Sequence, residues 1–551
     1  MRSILDHASC PRYADDRNYH AAAASNNADS LAFSSRRGAL FPAGVPCISI
    51  HSPPPNRVNA IRSESLVEQP PDIVAQLSSL LPPESLLWRA EQTVPFECDG
   101  LAAFRQKPLA VALPQTEAQV RDVLRACHAT KTPVVARGAG TGLSGGAMPC
   151  ADGVLLSLAK LNRILEIDPI ARIARVQPGV RNLAVSDAAA QYGLYYAPDP
   201  SSQLACSIGG NVAENSGGVH CLKYGLTVHN VLGVRGYLID GTAVQFGGAA
   251  LDSPGLDLLA LSIGSEGLLV VVTEVTLKLV PKPKLAQVVM ASFDDVVKAG
   301  NAVAEIIGAG IIPAGMEMMD RKATNAVEPF VKAGYDLNAE AILLAESDGT
   351  PEEVADEIAQ IEGVLRQAGS TQCVVSQSEA ERLRFWSGRK NAFPAAGRVS
   401  PDYYCMDGTI PRKHLGEMLR AIEEMEKKYT LRCMNVFHAG DGNLHPLILF
   451  DANEPGEWER ADRFGADILE LCVKLGGTIT GEHGVGIEKI NSMCVQFNDG
   501  EREAFFAVKR AFDEFGLLNP GKAIPTLHRC AEYGRMHVHN GELPFADLPR
   551  F

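Results

Sequence analysis

The sequence predicts an α+β protein built as successive folded domains, and three observations carry that expectation. The chain has 551 residues, more than one ordinary core organises. From about residue 109 onward, short apolar runs alternate with stretches of helical period. The alternation is broken at 280–284, Val-Pro-Lys-Pro-Lys, a Pro-rich charged segment of the kind that marks a boundary.

Taken in order, residues 1–60 read as an N-terminal extension. The run from Ala21 to Ser35 is rich in Ala, Asn and Ser and has no apolar core. Residues 66–92 read as helical, with Pro70, Pro71, Pro82 and Pro83 as breaks. Leu109 to Leu113 reads as a strand. Thr116 to Thr130 reads as a helix with Thr116 as its N-cap. Strands follow at Pro133–Ala136, Gly153–Ser157, Ile164–Ile167 and Ile173–Gln177, then a helix over Asn182–Tyr192. Ala197 to Gly225 is a long Gly-rich stretch without periodicity. Strands return at Val231–Ile239 and Leu268–Leu279, closing a first domain over 61–282. A second domain over 283–524 carries strands at Ala286–Phe293, Met316–Asp320 and Ala341–Glu346. Its helices are expected at Asp295–Ala309, Pro351–Ala368, Trp458–Leu475 and Arg502–Phe515. Its sheet is expected to be antiparallel, with a helical segment at the C-terminal end. Residues 525–551 form a tail rich in His and charge.

Apolar residues at 46% and charged residues at 21% fit a globular chain. A net charge of −14 argues against nucleic acid as a main partner. The 13 Cys are irregularly spaced with no C-x-x-C, so neither a disulfide framework nor an iron–sulfur site is indicated. Reduced thiols in the cytoplasm are the expectation. No run approaches the roughly 20 apolar residues of a membrane helix.

Arg137–Gly146, RGAGTGLSGG, holds five Gly in ten residues directly after a predicted strand. Gly lets backbone N–H groups approach phosphate oxygens without a Cβ clash, and Thr141 and Ser144 add hydroxyls. Alone, the pattern fits a ligand-free tight loop equally well. The spacing is not a Rossmann fingerprint, and the G-K-[ST] of a P-loop is missing. Two further segments share its character: PDPSSQLACSIGGNVAENSGG at Pro198–Gly218, and GSEG at Gly264–Gly267.

In order and wording, these three segments resemble the FAD-binding domain of the vanillyl-alcohol oxidase and p-cresol methylhydroxylase flavoprotein superfamily. The resemblance implies a two-subdomain FAD-binding fold. It implies FAD contacts from Arg137, Gly138, Ala139, Gly140, Thr141, Gly142, Leu143 and Ser144. From the second segment it implies Pro198, Asp199, Ser201, Gly209, Gly210, Asn211, Ala213, Asn215, Gly217 and Gly218. Glu266 and Thr273 follow from the third. Some superfamily members tether flavin through a His in the first loop. Thr141 stands at that position, so noncovalent FAD is expected. Val270 stands where relatives usually carry Gly, which places a side chain at a close backbone approach.

FHAGDGNLHP at Phe437–Pro446 places His438 and His445 on either side of a Gly-Asp-Gly turn, a hairpin signal. TGEHGVG at Thr480–Gly486 adds Glu482 and His483. Two imidazoles and a carboxylate suit Zn²⁺ with an open position, or Mn²⁺ or Fe²⁺. Asp441 is a candidate to orient a ligand.

These motifs resemble the C-terminal domain of FAD-linked oxidases that act on glycolate, D-lactate and D-2-hydroxyglutarate. That resemblance implies His438, His445 and Glu482 as metal ligands and His483 as the base for the substrate hydroxyl. An imidazole titrates near working pH. It implies Arg389, in RFWSGRKNAFPA, as the substrate-carboxylate ligand, a task a guanidinium fork suits. It places Lys522 of NPGKAIP near the flavin and makes Asn443 a candidate contact of substrate or metal.

The likeness spans about Glu91 to Phe551. It is most specific at Ser400–Arg412, Asn435–Glu457 and Ile524–His539, which resemble the D-type catalytic subunits of bacterial glycolate oxidases. The implied reaction is oxidation of glycolate to glyoxylate by hydride transfer to flavin N5. Electrons would leave through partners, a second flavin-domain-like subunit and an iron–sulfur subunit, or to a membrane acceptor. The expected compartment is the cytoplasm, with any membrane association made through those partners. D-lactate or D-2-hydroxyglutarate dehydrogenase is the alternative with the same machinery. A non-catalytic flavin-domain subunit is the alternative of another class.

Overall fold

Helices begin where the sequence places a capping side chain. Thr116 accepts from the Gln119 amide ahead of Glu117–Thr130, and Asp295 accepts from Val297 ahead of Val296–Gly308. Thr350 and Glu353 form a reciprocal capping box at Pro351–Gln367. The computed structural model of the chain describes residues 71–250 and 255–525. The 1–60 extension and nearly all of the 525–551 tail lie outside the described residues.

Two small sheets form the N-terminal part. In the first, Ala110–Ala112, Val154–Ser157 and Val134–Arg137 run parallel, and Leu86–Leu87 joins one edge antiparallel. In the second, five antiparallel strands lie in the order Ile164–Asp168, Ile173–Val176, Val271–Lys278, Val231–Tyr237, Ala243–Gly247.

The C-terminal part is one seven-stranded antiparallel sheet. Its strands lie in the order Gln372–Val375, Leu285–Phe293, Ala341–Gly349, Gly315–Asp320, Arg432–Phe437, Pro446–Phe450, Asp402–Cys405. Both faces are covered, so its strands read as unbroken apolar runs rather than alternating ones. In Ala341–Gly349, Leu343 and Ala345 enter one core cluster, while Ile342 and Leu344 enter the cluster on the other face. Val354, Ile358, Ile361 and Leu365 bring the Pro351–Gln367 helix onto the first face at helical spacing.

Several expectations shift. Ala197–Gly225 is not wholly irregular. It folds short helices at Ile208–Glu214 and Cys221–Tyr224, the first capped by Ser207. The strand expected from Leu268 starts at Val271, because Leu268–Val270 pack as their own apolar cluster against Val508 and Phe512. Nine cysteines of the described residues are free thiols, but Cys494 is disulfide-bonded, against the expectation of reduced thiols throughout.

Leu343→Ala removes a fully buried side chain at the centre of the large sheet. We expect it to destabilise the fold by about 2–5 kcal/mol. Leu256→Ala, at a residue 85% exposed, should fall within about 0.5 kcal/mol of wild type. Chemical denaturation of the two variants side by side checks both.

Candidate active site

The parallel strand Val134–Arg137 delivers the Gly-rich loop to a cavity of about 420 Å³. Arg137, Gly138, Ala139, Gly140, Thr141, Gly142 and Leu143 line it, as do Ser201, Gly209, Gly210, Asn211, Ala213 and Glu266. Gly is required at two of these positions. A Cβ on Gly138 would lie 2.1 Å from Ser207 Oγ, and Gly140 has φ +71° beneath the Arg137 guanidinium. Arg137 Nη1 donates to the Cys98 carbonyl at 2.6 Å. The Asn211 Nδ2 and Ser144 Oγ atoms are buried without a partner. A glycine-walled cavity with Asn211 on its lining fits the pyrophosphate of a dinucleotide. Val270 also lines it.

Other candidates from the three segments do not line this cavity. Ser144 turns its carbonyl to the amides of Ile487 and Glu488. Pro198 accepts from Asn182 through its carbonyl, and Asp199 bonds His220. Asn215 caps the Ile208–Glu214 helix and accepts from Val228. Gly217 packs on Glu482 and Gly218 on Asp199. Thr273 is buried under the Arg235 carbonyl. Lys522 donates to Met148 O and Asn519 Oδ1. Burial lowers its pKa to about 8. These residues hold the cradle's shape from behind.

At one end the cavity reaches His445, Glu482 and His483. The two histidines of Phe437–Pro446 stand at the turn end of a pair of antiparallel strands, though not within the strands themselves. They lie just past Arg432–Phe437 and just before Pro446–Phe450, across a tight turn in which His438 O accepts from Asp441, Gly442 and Asn443. Glu482 Oε1 lies 3.1 Å from His438 Nε2 and 3.3 Å from His445 Nε2. The ligand atoms of His438, His445 and Glu482 all fall within 4.8 Å of one another, a spacing one cation could span. His483 stacks on His445 with ring centroids 4.9 Å apart and planes 9° from parallel.

Sequence reasoning missed the carboxylate behind His438. Glu317, on Gly315–Asp320, accepts from His438 Nδ1 at 2.6 Å and from Arg389 Nε at 2.5 Å. It fixes the ring so that Nε2 faces Glu482. Asp441 makes no such contact, and burial raises its pKa to about 7. Arg389 is 2% exposed, and its Nη2 lies 3.4 Å from His438 Nε2. It stands beside the cluster rather than on the cavity wall, where its neighbour Lys390 is found. Asn443 packs over Gly481 with Oδ1 buried and unpartnered.

Asp407 was missed as well. It is fully buried beyond the strand Asp402–Cys405. Its carboxylate accepts from Thr480 Oγ1 at 2.6 Å and from the amides of Gly481, Glu482 and His483 at 3.1, 3.2 and 2.9 Å. Successive amides around one anion form a nest that orders the loop. Asp407, His445 and His483 also lie close enough to hold an ion. With its oxygens taken by these donors, Asp407 is the loop's anchor rather than a ligand. Burial alone raises its pKa, but His483, His445 and Lys489 hold it well below the carboxylate range.

The charges sort themselves. Burial lowers the pKa of His438, but Glu317 and Glu482 override it and push it up to about 10. Burial drives His445 down to about 4, and the neighbouring His438 adds to that. Burial raises Glu482, but His438 and the other two histidines bring it to about 2. Glu317 and Glu482 thus favour the protonated form of His438 while His445 is held neutral, and a cation at the trio would take the place of the proton on His438 Nε2.

This fold and cavity define an FAD-dependent oxidoreductase. Residues 108–247 match the FAD binding domain family, and residues 282–523 match the C-terminal domain of FAD linked oxidases. The chain is 61% identical to glycolate oxidase subunit GlcD of Escherichia coli, over 87% of this chain and 96% of that one. It is 31% identical to a D-lactate dehydrogenase of Anaerostipes hadrus, over 82% of this chain and 97% of that one. In fold it is similar to p-cresol methylhydroxylase with substrate bound, at TM-score 0.69 and 19% identity, over 83% of this chain and 97% of that one. The chain belongs to the FAD-linked oxidase family, in the branch of the glycolate oxidase D subunits.

Asp407→Asn puts an NH₂ group against loop amides that now meet a carboxylate. We expect turnover to fall about 10–100-fold. FAD content should stay at the wild-type level, because no Asp407 atom lines the flavin cavity. Steady-state kinetics with flavin quantitation on the same preparation checks both.

Proposed function

We propose that this protein is the FAD-carrying catalytic subunit of a glycolate oxidase-type dehydrogenase that converts glycolate to glyoxylate. The observation that carries the reading is the meeting of His445, Glu482 and His483 at one end of the flavin cavity, with His438 and Arg389 packed beside them. The high identity to a glycolate oxidase D subunit supports the substrate. We place the flavin domain over 61–282 and the domain bearing the trio over 283–524.

His438, His445 and Glu482 would hold a divalent ion, Zn²⁺ by the donor set, with Mn²⁺ or Fe²⁺ as the other candidates. Such an ion supplies positive charge that polarises the hydroxyl of a bound 2-hydroxy acid. FAD, held noncovalently in the glycine-walled cavity, would supply at N5 the acceptor for the hydride leaving C2. The protein's own tasks are placement and proton transfer. Arg389, already poised beside His438, takes the carboxylate when its terminal nitrogens turn to substrate. Asn443 lies against the same loop as a further contact. His483, fixed by the Asp407 nest and stacked on His445, removes the hydroxyl proton. Electrons then leave through a second flavin-domain-like subunit and an iron–sulfur subunit. No helix among the described residues is long and apolar enough to cross a membrane. We place the protein in the cytoplasm, meeting a membrane only through those partners.

Anaerobic addition of glycolate should bleach the flavin faster than D-lactate or D-2-hydroxyglutarate. Bleaching by a larger acid alone would sink the glycolate assignment. His483→Ala should lower kcat about 10²–10⁴-fold while the flavin spectrum persists. Full activity in that variant would remove His483 from the proton step. Dialysis against EDTA should abolish turnover, and added Zn²⁺ or Mn²⁺ should restore it. Unchanged turnover in metal-free protein would rule out the trio as a metal site.

A further inference from the structure

Glu214 ends the helix Ile208–Glu214 and lines the flavin cavity, yet its Oε2 is buried without a hydrogen-bond partner. Its carboxyl lies between Gly146, on the cavity lining, and Gly484, which stands behind it. A Cβ on Gly146 would come within 2.7 Å of Glu214 Oε1, and one on Gly484 within 2.0 Å of Oε2. Gly146 closes the first Gly-rich loop, and Gly484 follows His483. The neighbouring carboxylate, Glu266, is fully used: it accepts from the Val485 and Gly486 amides at 2.7 Å each. Two acids thus share one buried corner. The Glu214 Oε2 atom is buried and unpartnered, an arrangement that costs free energy unless a ligand meets it.

We infer that Glu214 is a direct contact of the bound flavin, donating a hydrogen bond to the ring at the end of the cavity next to His483. The inference rests on the family's FAD and on the reading of the His483 loop as the substrate end, where the ring must lie for hydride to reach it. A carboxyl can donate only when protonated, and its surroundings favour that state. Burial pushes the Glu214 pKa well above the usual range, and Glu266 and Asp99 push it further. Lys489 and Lys522 oppose this. The helix C-terminus adds a partial negative charge beside the group. The ring gains negative charge on reduction, so a donor there binds the reduced flavin more tightly than the oxidised one and raises its midpoint potential.

The test compares wild type, E214Q and E214L as purified FAD-loaded protein, with the midpoint potential read by anaerobic dye equilibration and no substrate present. E214Q keeps a donor and should stay near the wild-type potential. E214L should fall by about 30 mV, a tenfold loss of preference for reduced over oxidised flavin in a two-electron couple. An E214L potential equal to wild type overturns the inference, and so does a shift in E214Q as large as in E214L. Should E214L not retain FAD, the thermal unfolding of the apo forms decides. An apo E214L as stable as apo wild type supports a lost flavin contact, and a destabilised one overturns it. Wild type that carries FAD but is not reduced by any 2-hydroxy acid would defeat the proposed function and leave these potentials as an independent reading.

Discussion

The segment Asp407–Thr409 lies between the two loops that carry the chemistry and binds both. Toward one side, the Gly408 carbonyl accepts from Leu444, and Thr409 bridges to Asn443. Toward the other, the Asp407 carboxylate and carbonyl collect the donors of Thr480–His483, and Thr409 exchanges backbone bonds with Thr478. The imidazoles of one loop and the Glu–His pair of the other are therefore held to a common rail. An anion without these donors would be too costly to bury, and these amides without the anion would be orphaned. Each side stabilises the other, and the result is a catalytic loop made rigid without a regular helix or strand.

A second set of contacts joins this rail to the flavin cradle. Glu266, from GSEG, binds the loop directly after Gly484. Asn519 donates to both the Gly146 and Glu266 carbonyls, drawing the first and third glycine segments together. On another side, His220 links Asp199 of the second segment to Glu346 in the large sheet. Arg382 and Trp386 bind that same carboxylate, on the helix that also carries Arg389. Cofactor loops and substrate groups are thus connected through side chains that themselves perform no chemistry.

Much of this was legible in the sequence, and the division is physical. Local signals survived: Thr116 announced a helix start, and the dense glycines announced a cradle. The groups missed are those whose meaning exists only across the fold. Glu317 sits among methionines in MEMMD and reads as an ordinary strand position, yet it meets His438, 121 residues away. Asp407, in CMDGT, reads as a turn former, and its donors lie more than 70 residues downstream. The wording of PDPSSQLACSIGGNVAENSGG pointed to the cofactor. It could not say which of its residues face the cavity and which, like Asp199 and Asn215, turn their side chains to the protein.

Leu517–Asn519 complete the first small sheet, more than 350 residues after that sheet's other strands. Val134 donates to the Leu517 carbonyl and accepts from Asn519, while Leu517 and Leu518 fill the core behind it. On the ribosome, the flavin-binding half therefore emerges with one strand edge bare and part of its interior missing. A chain lacking the 517–519 segment would leave the Val134 edge of that sheet bare and part of its core unfilled.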